Sequence, residues 1–141
     1  MPRDGVLLYH GSYLGIERVD LSKSSEGKDF GKGFYVTTNA EQARRFIHPS
    51  IRKAIRQRKI SEKQGFGFVS VFRYETNVQI DSYAFSTTDK IWLQFVAMNR
   101  LNGQGEYESI ELLRRILGKD LILGNLGVLT VMEKYEFGFS A

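Results

Sequence analysis

Two short segments carry the residues whose types and spacing could do chemistry. Leu8-Tyr9-His10-Gly11-Ser12 places one of the two histidines where an apolar run meets a glycine. A neutral imidazole there could donate or accept one directed hydrogen bond, and the glycine would let a ligand approach the backbone closely. The second segment centres on Tyr35, which is flanked by Gly31, Gly33 and Phe34 and followed by Thr37 and Thr38. Glycines ahead of an aromatic strand leave room for a flat ring, nicotinamide or a nucleobase, to stack on the tyrosine face. Each residue alone also has a plainer reading, His10 as a satisfied strand end and Tyr35 as a core aromatic.

The elements that must position these residues follow from local pattern. Gly5 to Gly11 reads as a short apolar strand ending at His10, Val19 to Lys32 as a polar loop, and Gly33 to Thr38 as a β-rich run. Asn39, with Gln42 three residues later, has the spacing of a capping box, so a helix begins near Ala40 with Ala43, Phe46 and Ile47 inward. Pro49 predicts a break, followed by a basic second helix over Ile51 to Ser61. Gly65 to Tyr74 alternates Phe68, Ser70, Phe72 and Tyr74 against Val69, Val71 and Arg73, a strand in a sheet covered on both faces. Val78 to Asp81 is a shorter strand. Thr87 or Thr88 caps a helix containing Ile91, Trp92, Phe95, Val96 and Met98. Ile110, Leu112, Leu113, Ile116 and Leu117 suit another helix, stopped by Gly118, and Gly127 to Phe139 reads as a final strand. The fold class is α+β, in one domain over residues 1–141.

Composition narrows the function classes. The chain has 141 residues, 42% apolar and 13% aromatic, enough to bury a core. No run of about 18 apolar residues is present, so a membrane partner is not expected. Without cysteine there is no disulfide framework, thiolate nucleophile or sulfur-based zinc site. A cytoplasmic address is the simplest expectation. Lys and Arg number 20 against 16 Asp and Glu, for a net charge of +4. The excess concentrates in Arg44, Arg45, Arg52, Lys53, Arg56, Arg58, Lys59 and Lys63, a stretch that could meet phosphates or form the wet face of a helix.

Taken together, Leu8-Tyr9-His10-Gly11-Ser12, Asp29-Phe30-Gly31-Lys32-Gly33-Phe34-Tyr35-Val36-Thr37-Thr38, Gln42-Ala43, Trp92-Leu93-Gln94-Phe95-Val96 and Asn99-Arg100 resemble a family of bacterial proteins classed with the ADP-ribosyltransferases. The branch in question carries a histidine, a tyrosine and a glutamate as its signature. The resemblance implies a split pair of small antiparallel sheets with flanking helices, gripping NAD between them. It assigns His10 to a ribose hydroxyl of NAD, the backbone of Gly11 to the nicotinamide amide and Tyr35 to stacking on the nicotinamide ring. Ser12 and Thr37 complete the candidate NAD-binding set, and no metal site is expected.

Such transferases use a late glutamate to bond the ribose 2′-hydroxyl and stabilise the oxocarbenium-like centre as nicotinamide leaves. Glu106 and Glu108, in an E-x-E spacing, are the candidates here, with Glu133 and Glu136 as rivals. Glu106, Glu108 and Glu111 also read as a solvated helix start, where acidic residues favour the dipole. Phe85-Ser86-Thr87-Thr88 is similar to a strand motif of the superfamily's other branch and is taken as structural. The expected activity is transfer of ADP-ribose from NAD to a protein or nucleic-acid acceptor. The alternative is a non-enzymatic nucleotide- or partner-binding module of the same fold.

Overall fold

A computed structural model describes residues 3–21, 30, 32–75, 80–124 and 128–132. The chain is α+β and divides into two compact units. One comprises Pro2–Val19 and Val36–Val78, here the N-terminal unit; the other comprises Met1, Asp20–Tyr35 and Gln79–Ala141, here the C-terminal unit.

The N-terminal unit is built on β1 (Leu7–Ser12), the end of β2 (Gly33–Thr37), α1 (Ala40–Arg56) and β3 (Phe68–Arg73), in strand order β3-β1-β2. β1 and β3 are antiparallel throughout, from Leu7↔Arg73 to Ser12↔Phe68, and β1 meets β2 at Tyr9↔Thr37. The strand expected to end at His10 therefore continues through Gly11 to Ser12, because β3 supplies backbone partners along its whole length. Val71 is 54% exposed, so β3 is not covered on both faces as its Phe and Val alternation predicts. β3 ends the strand order of the unit, and a strand in that position has less to pack against.

Asn39 caps α1 as expected, its side chain accepting from the N–H groups of Glu41 and Gln42. The predicted break at Pro49 does not occur: one helix of 17 residues runs through it. Ala43, Ile51 and Ala54 are buried on one face against β1, and a continuous apolar stripe of this kind compensates for the single hydrogen bond that proline removes. Phe46, expected inward, is 45% exposed.

The C-terminal unit has the start of β2, β4 (Ser82–Ala84), α2 (Lys90–Arg100), α3 (Ile110–Leu117), β5 (Leu121–Leu123) and β6 (Val128–Met132), in strand order β2-β6-β5-β4. β5 and β6 are antiparallel, but β4 and β5 run parallel, which corrects the expectation of purely antiparallel sheets. The reason lies in the connection. α2 and α3 intervene between β4 and β5 and supply the long crossover that a parallel pair needs. Asp89, not Thr87 or Thr88, caps α2, its carboxylate accepting from the Trp92 N–H at 2.9 Å. β5 is too short to announce itself by alternation and has no counterpart among the predicted elements. Of the predicted strand over Val78 to Asp81, residues 78 and 79 lie outside the described residues, as does the end of the final strand beyond Met132. The core joins Phe30, Phe85, Phe95, Met98, Leu113, Ile116, Leu117, Ile122 and Met132.

Candidate functional site

The antiparallel ladder decides where the β1 backbone points. Tyr74 donates its N–H to the Val6 carbonyl, and from there hydrogen-bonded and non-hydrogen-bonded pairs alternate along β1 and β3. Leu8, His10 and Ser12 therefore turn their N–H and C=O groups toward β3. Tyr9 and Gly11 turn theirs to the opposite edge. Tyr9 uses that edge for its bridge to Thr37, and Gly11 sits one step beyond, where among the described residues no further bridge joins β1 to β2.

Gly11 is also where α1 comes closest. A Cβ at this position would lie 1.7 Å from the Ala43 carbonyl oxygen, so only glycine fits. The absent side chain is thus taken up by the helix, and the direction of the Gly11 N–H and C=O, toward the side of β1 that carries the Tyr9 bridge, is a separate property of the same residue. His10 is half-buried within the strand, opposite Ser70, and by the alternation of strand side chains it projects to the face away from α1.

Ser12 and Thr37 are committed to local structure. Ser12 is 8% exposed; its Oγ lies 3.5 Å from Ser50 Oγ and accepts from the Leu14 N–H, while Ser50 Oγ accepts from Tyr13 N–H. Thr37 is 1% exposed. Its hydroxyl accepts from the Asn39 N–H and donates to Gln42 Oε1, so Gln42 closes the start of α1 through Thr37. Ser50 and Ser70, which accepts from the Ile16 N–H at 2.8 Å, carry no sequence signal for this work because their partners lie far along the chain.

Tyr35 belongs to the C-terminal unit. It is half-buried against the aromatic core, and its hydroxyl accepts from the Phe30 N–H at 3.0 Å, which tethers the far end of the ring. Phe30 in turn stacks on Phe85 at a centroid distance of 5.7 Å. Sequence reasoning placed Phe30 in the resemblance but gave it no role; its N–H holds the tyrosine hydroxyl.

The E-x-E segment precedes α3. Tyr107 turns inward against the core and donates to the Gln104 carbonyl, and burial pushes its phenol above the ordinary value. Glu106 and Glu108, on either side, are exposed. Glu108 pairs with Lys90 at the start of α2, both side chains well solvated at 73% and 69% exposure. Glu111 lies in the first turn of α3, where a carboxylate suits the dipole. Glu133 and Glu136 lie outside the described residues. Among the described residues no group of three His, Asp or Glu side chains could hold a metal ion, and no helix is long and apolar enough to cross a membrane.

Comparison with known proteins gives a family and no activity. No curated protein and no solved structure matches the chain. A family described as a protein of unknown function (DUF3990) matches residues 6–139, nearly the whole sequence, and the chain belongs to that family.

Proposed function

We propose that this protein is an ADP-ribosyltransferase-like domain that binds NAD, with His10 on the ribose, the Gly11 backbone on the nicotinamide amide and Tyr35 against the nicotinamide ring. The single observation that carries the reading is the Gly11 edge. A carboxamide needs one donor and one acceptor side by side, and Gly11 turns an N–H and a C=O to the same edge beyond the last β1–β2 bridge. The tethered side chain of Tyr35 supports it, since a residue already held at its hydroxyl loses less freedom when a ligand binds. In this reading a carboxylate of the E-x-E segment, Glu108 or Glu106, assists departure of nicotinamide.

A second reading is favoured by the solvation of that same segment. Glu106 and Glu108 stand in water, where a charge complements a developing cation weakly, and this fits a binding module without turnover.

Calorimetry with NAD followed by a nicotinamide-release assay separates the two. Binding with release supports the transferase, binding without release the module, and no binding ends both. If turnover occurs, Glu108→Gln should lower it about a hundredfold, or about 3 kcal/mol, while NAD affinity changes little. Release that survives Glu108→Gln unchanged would move the role to another carboxylate.

A further inference from the structure

The continuity of α1 through Pro49 aligns charges that the sequence divides between two helices. At 100° per residue, Arg45, Arg52 and Arg56 fall on the face opposite buried Ala43, Ile51 and Ala54, along about 16 Å of helix. All three are exposed, and among the described residues no ion pair involves them. Glu41 is the one acid of α1, and it pairs with Arg44. Solvated helix faces usually intersperse the two signs, because like charges four residues apart, as in Arg52 and Arg56, destabilise a helix. Here the whole unit carries 11 Lys and Arg against 5 Asp and Glu, while the C-terminal unit carries 9 against 11.

The end of α1 shows the same preference for positive charge over stability. Lys59 donates to the Ala54 carbonyl and Arg58 to that of Ile55, the double closure that ends many helices, and Arg58 occupies its left-handed position at φ 57°. Glycine or asparagine is the usual choice there. α2 ends in the same closure with Asn102 at φ 52°. An arginine in this position costs stability and adds to the charge of the exposed Lys59 and Lys63 that follow.

We infer that the outer face of α1, Arg45, Arg52 and Arg56, continued by Arg58, is a binding surface for the phosphate backbone of a nucleic acid. The chemistry of the face favours this partner. The apolar stripe of α1, Ala43, Ile51 and Ala54, is already buried in the fold, which leaves the single half-exposed Phe46 and no apolar face to insert into a membrane. The outer face has no large apolar anchor of the sort that dominates protein interfaces. What it offers is a row of guanidinium groups, which bind phosphate oxygens in pairs.

The test is fluorescence anisotropy of the full chain with a labelled single-stranded oligonucleotide and a labelled duplex, titrated across about 50 to 200 mM salt. The wild type should bind with an affinity that falls steeply with salt. Arg45→Gln/Arg52→Gln/Arg56→Gln should weaken binding at least about tenfold and lower the salt slope by roughly two. Arg58→Gly should weaken binding while raising the melting temperature, an opposition that a purely structural role would not produce. Arg3→Gln/Arg18→Gln/Arg73→Gln removes the same charge from exposed positions elsewhere in the unit. If that variant weakens binding as much as the α1 triple, or if poly-glutamate competes as well as unlabelled oligonucleotide, the proposal is overturned; so too if the wild type binds neither oligonucleotide at the low-salt end.

Discussion

In the C-terminal unit Phe30, Phe85 and Phe95 meet ring to ring at centroid distances of 5.6 to 6.1 Å, with Met98, Leu113, Ile116 and Ile122 filling the space around them. In the N-terminal unit the helix reaches the sheet side through small residues, Gly11 against the Ala43 backbone and Gly67 against Ile47, and the buried Ser12, Thr37 and Ser70 are each hydrogen-bonded. One unit excludes water by filling volume with apolar atoms. The other does so by close backbone approach, with hydroxyls satisfying the polar groups that such closeness strands. Mutations that shorten side chains should therefore damage the first unit most, and mutations that lengthen them the second.

The largest expected effect is Phe95→Ala. The ring is fully buried among two others, and its loss should cost about 3–5 kcal/mol by the removed transfer energy and the cavity left behind. Chemical denaturation measures it, and hydrogen exchange should show protection falling in α2 and α3 more than in α1. Equal loss in α1 would mean that the two units unfold as one.

Next is Gly11→Ala, one methyl group added where a backbone oxygen stands 1.7 Å away. Neither partner is a flexible side chain, so α1 or β1 must move, at an expected cost of about 3 kcal/mol. Gly65→Ala, with no atom within 4 Å of the new methyl, is the matched control and should change stability by less than about 0.5 kcal/mol. Similar midpoints for the two variants would break the contrast drawn here.

The smallest is Thr37→Val, which keeps shape and removes the hydroxyl. It leaves the Asn39 N–H without its acceptor at a partly buried helix start, for an expected loss of about 1 kcal/mol in the same denaturation experiment. A neutral result would show that water replaces the hydroxyl there.

Features legible in the sequence are those whose causes lie within a few residues. Asn39 announced the start of α1 because a cap bonds two and three residues ahead, and Gly118 marked the end of α3 for a similar reason. Apolar residues placed α2 around Phe95 and Met98, an apolar run located β1, a β-rich run β2, and alternation most of β3. The candidate site was legible only as residue types: His10, Gly11 and Tyr35 were singled out by chemistry and by resemblance, with no sign of what surrounds them. Where the sequence reading departed from the structure, the cause was distant in the chain. Pro49 stays inside α1 because β1 buries the helix on both sides of it, and β4 and β5 run parallel because two helices carry the chain across. Gly11 has to be glycine because a helix backbone more than thirty residues later occupies the space of its side chain. Sequence by itself determined which residues prefer to be helix, strand or turn, since those preferences are local; which backbone edges stay open and which charges share a face was decided only when distant segments packed, since contacts between them have no local signature.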